Sequence, residues 1–357
     1  MLNHLTTIEE IERAALERLP LDIRQYYAGG SGTESSLRRN KFAFDRLLIR
    51  PHVLRDISTI DTSVKIFSKI FDFPIGIAAT AFHKLADPLG EIATVKDHDV
   101  TKQLLQRIAD AGFDAVVLTV DTPVLGRRPA DKRNAFNLPA HLSLANINGA
   151  NAHMKQTEIG ESAFGNYVQQ LFDDSLTFDD LEWLIRLANI NGANAHMKQT
   201  EIGESAFGSY VQQLFDDSLT FDDLEWLIRE SKLPIIVKGV MRAEDADIAV
   251  RCGVKGIIVS NHGGRQLDFT PATVFIDGGV RNGGDIFKAI ALGADSVFVG
   301  RPILWGLTLA GKDGVRHVLQ ILRDEFLNIM QLAGCRTIDE IRTCKDIVVH
   351  EALYSRI

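Results

Sequence analysis

Cysteine, positive charge and long apolar runs are the scarce features of this chain. Cys252, Cys335 and Cys344 are the only cysteines in 357 residues. Three scattered thiols cannot frame a disulfide scaffold or a zinc site, and they point to a reducing compartment. Acidic residues outnumber basic ones, 47 to 39, giving a net charge of −8 and a pI near 5.7. Nucleic-acid binders are usually basic, so no nucleic acid is expected as a partner. No apolar run approaches the ~18 residues of a membrane span, so no membrane partner is expected either. Residues 1–12 (MLNHLTTIEEIE) are polar and acidic, with the form of neither a signal peptide nor an Arg-rich transit peptide. No metal is expected.

The bulk that remains is ordinary for a soluble globular protein: 45% hydrophobic and 24% charged. The length admits one large α/β domain or two smaller ones. Near the start, Thr7 and Glu10 have capping-box spacing, a hydroxyl followed three residues later by a carboxylate. Ile8, Ile11, Ala15 and Leu19 follow at helical spacing, and Pro20 closes this predicted helix. Residues 26–32 (YYAGGSG) are expected as a turn, whose tyrosines either pack or place a phenol in a site.

From about residue 71 short β-branched runs alternate with helical patterns. Strands are predicted at 74–79, 115–120, 234–237, 256–260, 274–276 and 296–299, with helices at 100–111, 243–251 and 285–292. Such alternation predicts a parallel sheet. Nearly every strand ends in a polar or Gly-rich signature, as a barrel does when its C-terminal rim binds ligand.

The densest signature is residues 257–265, IIVSNHGGR. It sets His262 and Arg265 just beyond a strand, as a base and a carboxylate clamp or simply as surface residues of a Gly-rich turn. Other strand ends supply Thr119, Arg127, Arg128, Lys238, Ser260, Asp277, Arg281 and Arg301. That rim is cationic for an acidic protein and should attract an anion. Asp277-Gly278-Gly279-Val280-Arg281 and Gly300-Arg301 lie on the last two strands, where barrels commonly hold phosphate; tight turns would also account for the glycines.

Residues 144–186 recur as 187–229, differing only at Asn166 against Ser209. Solenoid repeats drift and need three or more copies. Two near-perfect copies indicate a recent duplication or an assembly error. The second copy is expected in the native slot, because it runs directly into the strand near Pro234. Trp183 and Trp226 are expected as core residues, and His153 and His196 as solvated.

SNHGGRQLD, VDTPVLGRR, VKGV, DGGVR and ALGADSVFVGRPILWGL together resemble the FMN-dependent 2-hydroxy acid oxidase family. The resemblance spans most of the chain, from Tyr26 to Cys335. It implies a TIM (β/α)₈ barrel holding FMN at its C-terminal rim, in a single domain over 1–357: an N-terminal helical segment (1–70) and the barrel (71–335). It implies His262 as base paired with Asp121, and Tyr26, Arg128, His262 and Arg265 as substrate contacts. It implies Ala79, Thr80, Ala81, Thr119, Lys238, Ser260, Asp277, Gly278, Gly279, Arg281, Gly300 and Arg301 as cofactor contacts. The implied substrate is a small (S)-2-hydroxy acid and the acceptor is O2, reduced to H2O2; the implied assembly is a homo-oligomer, a tetramer. Ser355-Arg356-Ile357 has the shape of a peroxisomal address.

Three features depart from that pattern. The family's serine-rich flavin turn and its Gln-x-Tyr motif are missing, and residues 95–98 look like a join. Near residues 272–274 the signature loop runs into the next strand with no crossover helix between. Six strands can be counted where a closed barrel has eight, so a catalytically impaired splice or gene-model variant, with an incomplete barrel and low or absent FMN affinity and turnover, is an alternative expectation. Another FMN or phosphate-binding barrel enzyme, such as a nucleotide dehydrogenase, would not explain SNHGGRQ.

Overall fold

The computed structural model describes residues 2–67, 69–80, 82–87, 113–123, 126–133, 219–270 and 277–354. The chain opens on helix α1 (Ile8–Arg18), whose capping box forms as its sequence predicts, with Glu10 N–H donating to Thr7 Oγ1 at 3.2 Å. Helix α2 (Leu21–Ala28) follows at once, with Pro20 as its N-cap. Tyr26 and Tyr27 are therefore in the last turn of a helix, not in the predicted turn. Proline stops a preceding helix yet suits the first positions of a new one. Helix α3 (Ser35–Phe42) completes this segment.

Two antiparallel pairs edge the molecule: β1 (Leu47–Ile49) with β9 (Val348–His350), and β2 (Val64–Ile66) with β3 (Lys69–Phe71). The other strands pair in parallel. In one group β6 (Ile235–Val240) lies between β5 (Val116–Thr119) and β7 (Gly256–Val259). In the other, β4 (Ile75–Ile77) pairs with β8 (Val297–Val299), and Asp277 bridges to Phe298 beside them. Thus the first and last of the parallel strands are hydrogen-bonded neighbours, the contact by which a sheet of βα units closes on itself. Five of the six predicted strands are present; the one at 274–276 lies outside the described residues, as do the predicted helix at 100–111 and the join at 95–98.

Each parallel group has its own apolar core. The β4–β8 group packs under the helix Gly283–Ala291 and the long helix Arg301–Ala333, which breaks at Ala310 and Gly311. Trp305, Phe287 and Phe326 are fully buried there, together with Ile8 and Ile11 from α1. Each such side chain contributes ~1.5–3 kcal/mol by leaving water. The second core joins Leu118, Ile235 and Val237 to Leu224 and Leu227 of the helix Phe221–Glu230. That helix belongs to the second copy of the repeat, and it immediately precedes β6. Trp226 lies at the border of this core, only partly buried. The first copy, with Trp183 and His153, lies outside the described residues, and so does His196.

Strand β6 runs further than its sequence pattern shows. Lys238 and Gly239 belong to it instead of following it, and its register on β7 shifts between Lys238 and Val240. Gly239 has φ +108°. An irregular ladder with a glycine at positive φ is how a strand absorbs an extra residue. It leaves Lys238 buried.

Candidate active site

The C-terminal ends of β5, β6 and β7 converge on one histidine. His262 opens a short 3₁₀ turn, His262–Gly264, directly after β7. Its own φ is +56°, uncommon for a residue with a side chain. The backbone N–H of His262 donates to Ser260 Oγ at 3.0 Å, fixing the turn. His262 Nδ1 lies 3.0 Å from Asp121 Oδ1, just beyond β5. Burial is the main influence on this imidazole and lowers its pKa below 6.5. Asp121 opposes that shift, while the charges of Lys238 and Arg128 add to it. The neutral ring is favoured, with the carboxylate orienting Nδ1–H.

Behind the histidine is a buried charged network. Lys238 Nζ donates to Ser260 Oγ at 3.0 Å, and Ser260 Oγ donates to Asp277 Oδ1 at 2.6 Å. Lys238 Nζ also lies 3.2 Å from Asp277 Oδ2. Thr119 is the partner of Lys238 across the β5–β6 ladder.

On the outer side, two guanidinium groups flank the Tyr26 ring, with Arg265 at 5.0 Å and Arg128 at 5.9 Å from its centroid. Arg265 Nη1 donates to the carbonyls of Tyr26 at 2.6 Å and Gly29 at 3.0 Å. Arg128 Nε donates to the Arg265 carbonyl at 3.3 Å. Arg301 donates to the carbonyls of Tyr27 (3.0 Å), Gly263 (3.2 Å) and Gly29 (3.1 Å). The end of α2 thus acts as a carbonyl-lined strap holding two arginines at the signature loop. Burial, then the charges of Arg265 and Arg281, pull Arg301 down to about 9. Burial also lowers Arg281, whose Nε has no hydrogen-bond partner and lies 3.8 Å from Glu12 Oε2.

The remaining expected cofactor contacts divide. A Cβ on Gly300 would sit 3.5 Å from Thr80 Cγ2, so the loops after β8 and β4 touch. Ala79 is exposed, and Ala81 lies outside the described residues. Gly278 and Gly279 have φ of +95° and +91°, and a Cβ on Gly279 would collide with the Asn40 carbonyl. Gly279 therefore has a packing reason of its own, the close approach of α3.

Four further residues make contacts that sequence spacing does not show. Asn40 and Asn261 exchange amide hydrogen bonds at 2.8 Å in both directions, tying α3 to the signature loop. Gln266 Oε1 accepts from Gly126 N–H at 3.0 Å. Asp268 accepts from Thr33 N–H and Ser36 N–H at 2.8 Å each. Burial alone would raise the Asp268 pKa, but these bonds hold it well below the usual carboxylate range. Both residues lie within SNHGGRQLD, yet their partners are 140 and more than 230 residues away in sequence.

The donor set suits an anionic cofactor and an anionic substrate. Crowded, buried arginines repel one another, and an anion among them would relieve that repulsion. An Arg-opened helix following a glycine is also a common phosphate site.

Parallel strands paired first-to-last, with a histidine–carboxylate pair at the C-terminal ends of a second parallel group, match the plan of a TIM-barrel enzyme. The chain belongs to the FMN-dependent dehydrogenase family, whose pattern it matches over residues 15–97, 94–193 and 186–347. Glycolate oxidase 3 of Arabidopsis thaliana is 39% identical over 391 residues, covering 94% of each protein. The glycolate oxidase of Spinacia oleracea is 38% identical over 391 residues with the same coverage. The crystal structure of mandelate oxidase with (S)-4-hydroxymandelic acid superposes with a TM-score of 0.75 at 32% identity, covering 94% of this chain and 97% of that one.

Proposed function

We propose that this chain, as one domain over 1–357, oxidises a small (S)-2-hydroxy acid to the 2-oxo acid and reduces O2 to H2O2. The observation that carries this reading is the His262–Asp121 pair at 3.0 Å, set beside Arg128 and Arg265. Bound FMN supplies the acceptor for the electron pair leaving the α-carbon. Arg128 and Arg265 clamp the substrate carboxylate, with Tyr26 between them. His262, kept neutral by burial, accepts the α-hydroxyl proton at Nε2. Asp121 holds Nδ1–H and stabilises the imidazolium that forms. Base catalysis of this kind is worth ~10²–10⁴-fold. Lys238, Thr119 and Ser260 would contact the flavin ring and ribityl chain. Asp277, Gly278, Gly279, Arg281, Gly300, Arg301 and residues 79–81 would hold the rest of the cofactor.

The test is a flavin titration followed by a substrate panel of glycolate, lactate and mandelate with peroxide detection. Stoichiometric FMN binding with peroxide release supports the proposal. FMN binding without peroxide from any 2-hydroxy acid overturns it.

Specific observations favour a second reading, an incomplete barrel with weakened FMN binding. The family match breaks at 94–97 and at 186–193, the first predicted join and the start of the second repeat copy. The alignment to the Arabidopsis relative spans 391 residues while covering 94% of a 357-residue chain. That relative therefore has segments with no counterpart here. Val117 on β5 is 45% exposed, and Leu267 and Phe269, just before the predicted join at 272–274, are 73% and 66% exposed. In a complete barrel a crossover helix covers such positions. A titration that fails to saturate supports this second reading over the first. A homo-oligomer, a tetramer, and a peroxisomal address at Ser355-Arg356-Ile357 complete the proposal. Sedimentation velocity and a fluorescent fusion with and without the tripeptide test them.

A further inference from the structure

Away from the rim, the chain assembles a second group of reactive side chains. Cys344 caps the end of the helix Ile338–Thr343. Its Sγ lies 3.3 Å from His52 Nε2, in hydrogen-bonding contact across 292 residues of sequence. His52 is fixed from the other side. Its backbone N–H donates to the Ala333 carbonyl at 3.0 Å, and Gly334 packs so closely that an added Cβ would lie 3.1 Å from His52 Cβ. Gly334 has φ +70° and is followed by the buried Cys335. The thiol and imidazole therefore meet by construction of the fold, where the end of the long helix turns back over the segment after β1. Cys344 is only partly buried.

An imidazole within hydrogen-bonding distance is a proton acceptor for the thiol, and the deprotonated sulfur is the nucleophilic form. The other two cysteines differ. Burial raises Cys335 to about 11. Burial and the Glu225 carboxylate raise Cys252. Among the described residues, neither has a basic side chain as a hydrogen-bond partner.

We infer that Cys344, activated by His52, is a peroxide-reactive thiol, so that the oxidase product modifies the enzyme that makes it. The thiol proton passes to His52 Nε2. The thiolate sulfur attacks one peroxide oxygen, an S–O bond forms and the O–O bond breaks. The departing hydroxide takes the proton back from His52 and leaves as water. Sulfur is oxidised by two electrons to the sulfenic acid, and one peroxide is reduced. The regulatory part rests on the proposed function, which supplies the peroxide; the chemical part does not.

The test therefore uses added hydrogen peroxide on the purified full-length chain, with dimedone to trap sulfenic acid and peptide mass spectrometry to locate it. Dimedone is expected on Cys344 at severalfold over Cys335 and Cys252, because Cys344 has an imidazole in hydrogen-bonding contact. His52→Asn should reduce Cys344 labelling to the level of the other two. The wild-type ratio needs no variant and stands even where H52N folds poorly. Equal labelling of all three cysteines, or unchanged labelling in folded H52N, overturns the inference. A parallel sample given glycolate in place of peroxide separates the two claims. Labelling with peroxide and not with glycolate leaves the reactive thiol in place and removes its supply by turnover.

Discussion

Gly239 makes room for Asp121. A Cβ on Gly239 would stand 2.5 Å from the Asp121 Cβ and Cγ and 2.9 Å from Oδ1, the oxygen that meets His262. The irregularity in β6 thus serves the His262–Asp121 contact: the strand presents a bare backbone where the carboxylate lies.

Gly239→Ala should therefore disable the site while leaving most of the fold. At φ +108° the alanine itself is strained, by about 1–3 kcal/mol, and its methyl group displaces Asp121. The expected outcome is a lower melting temperature and a loss of kcat much larger than any change in flavin affinity. A thermal melt, a flavin titration and steady-state rates on one preparation measure all three. Wild-type kcat in G239A would show that Asp121 does not need this position.

Asp121→Asn keeps the shape and removes the charge. Asp121 raises the His262 pKa against the dominant effect of burial, so its loss lowers that pKa further. In the proposed function His262 acts as a base when neutral, so wild-type activity should persist as pH falls below 6.5, and the acid limb of D121N should lie lower still. Its kcat should drop by ~10²–10⁴. The stability sign follows from the same depression. The unfolded chain binds the His262 proton more readily, so this contribution is present above the unfolded pKa and fades as pH falls through the folded one. An acid limb that moves upward in D121N would contradict the assigned pairing.

Lys238 and Asp277 form a buried ion pair at 3.2 Å with Ser260 bonded to both. Removing one partner leaves a buried charge uncompensated, which costs about 3–5 kcal/mol. Lys238→Met should lower the denaturation midpoint accordingly, and Lys238→Met with Asp277→Asn should recover much of the loss. Flavin affinity should stay low in both, since the cation is missing from both. Denaturant melts and flavin titrations of the two variants distinguish stability from binding.

The grouping of the candidate residues was legible in the sequence because they sit on short local signatures at strand ends. His262, Arg265 and Ser260 follow one β-branched run, and Lys238, Asp277 and Arg301 follow others. What holds them was not legible. Asn40 meets Asn261 across 221 residues, and Asp268 meets Thr33 across 235. Contacts at such separation leave no periodicity or spacing to read. The misplaced tyrosines have a local cause, since glycines after Tyr27 signal a turn while Pro20 starts a helix that reaches Ala28. Lys238 and Gly239 looked like a strand end because a glycine at positive φ inside a strand has the same one-letter appearance as one that ends it.

Deleting residues 144–186 tests whether the fold needs both copies of the repeat. The helix Phe221–Glu230 buries Leu224 and Leu227 against Ile235 and Val237, and a capping box from Thr220 and Asp223 starts it. All of these residues belong to the second copy or follow it. If the second copy fills the slot before β6, removing the first takes nothing from this core, and the melting temperature should hold or rise as a long insertion is lost. Loop closure favours the shorter chain by only ~0.6 kcal/mol per halving of length. Flavin affinity should likewise be unchanged, because every described rim residue lies outside 144–186. Deleting residues 187–229 instead gives a chain nearly identical in sequence, joining Arg186 to Glu230, with only Asn166 in place of Ser209. The two deletions should therefore melt together. A large difference between them would mean that position 166/209 matters to the fold, and a collapse of both would mean that the first copy packs against the barrel in its own right.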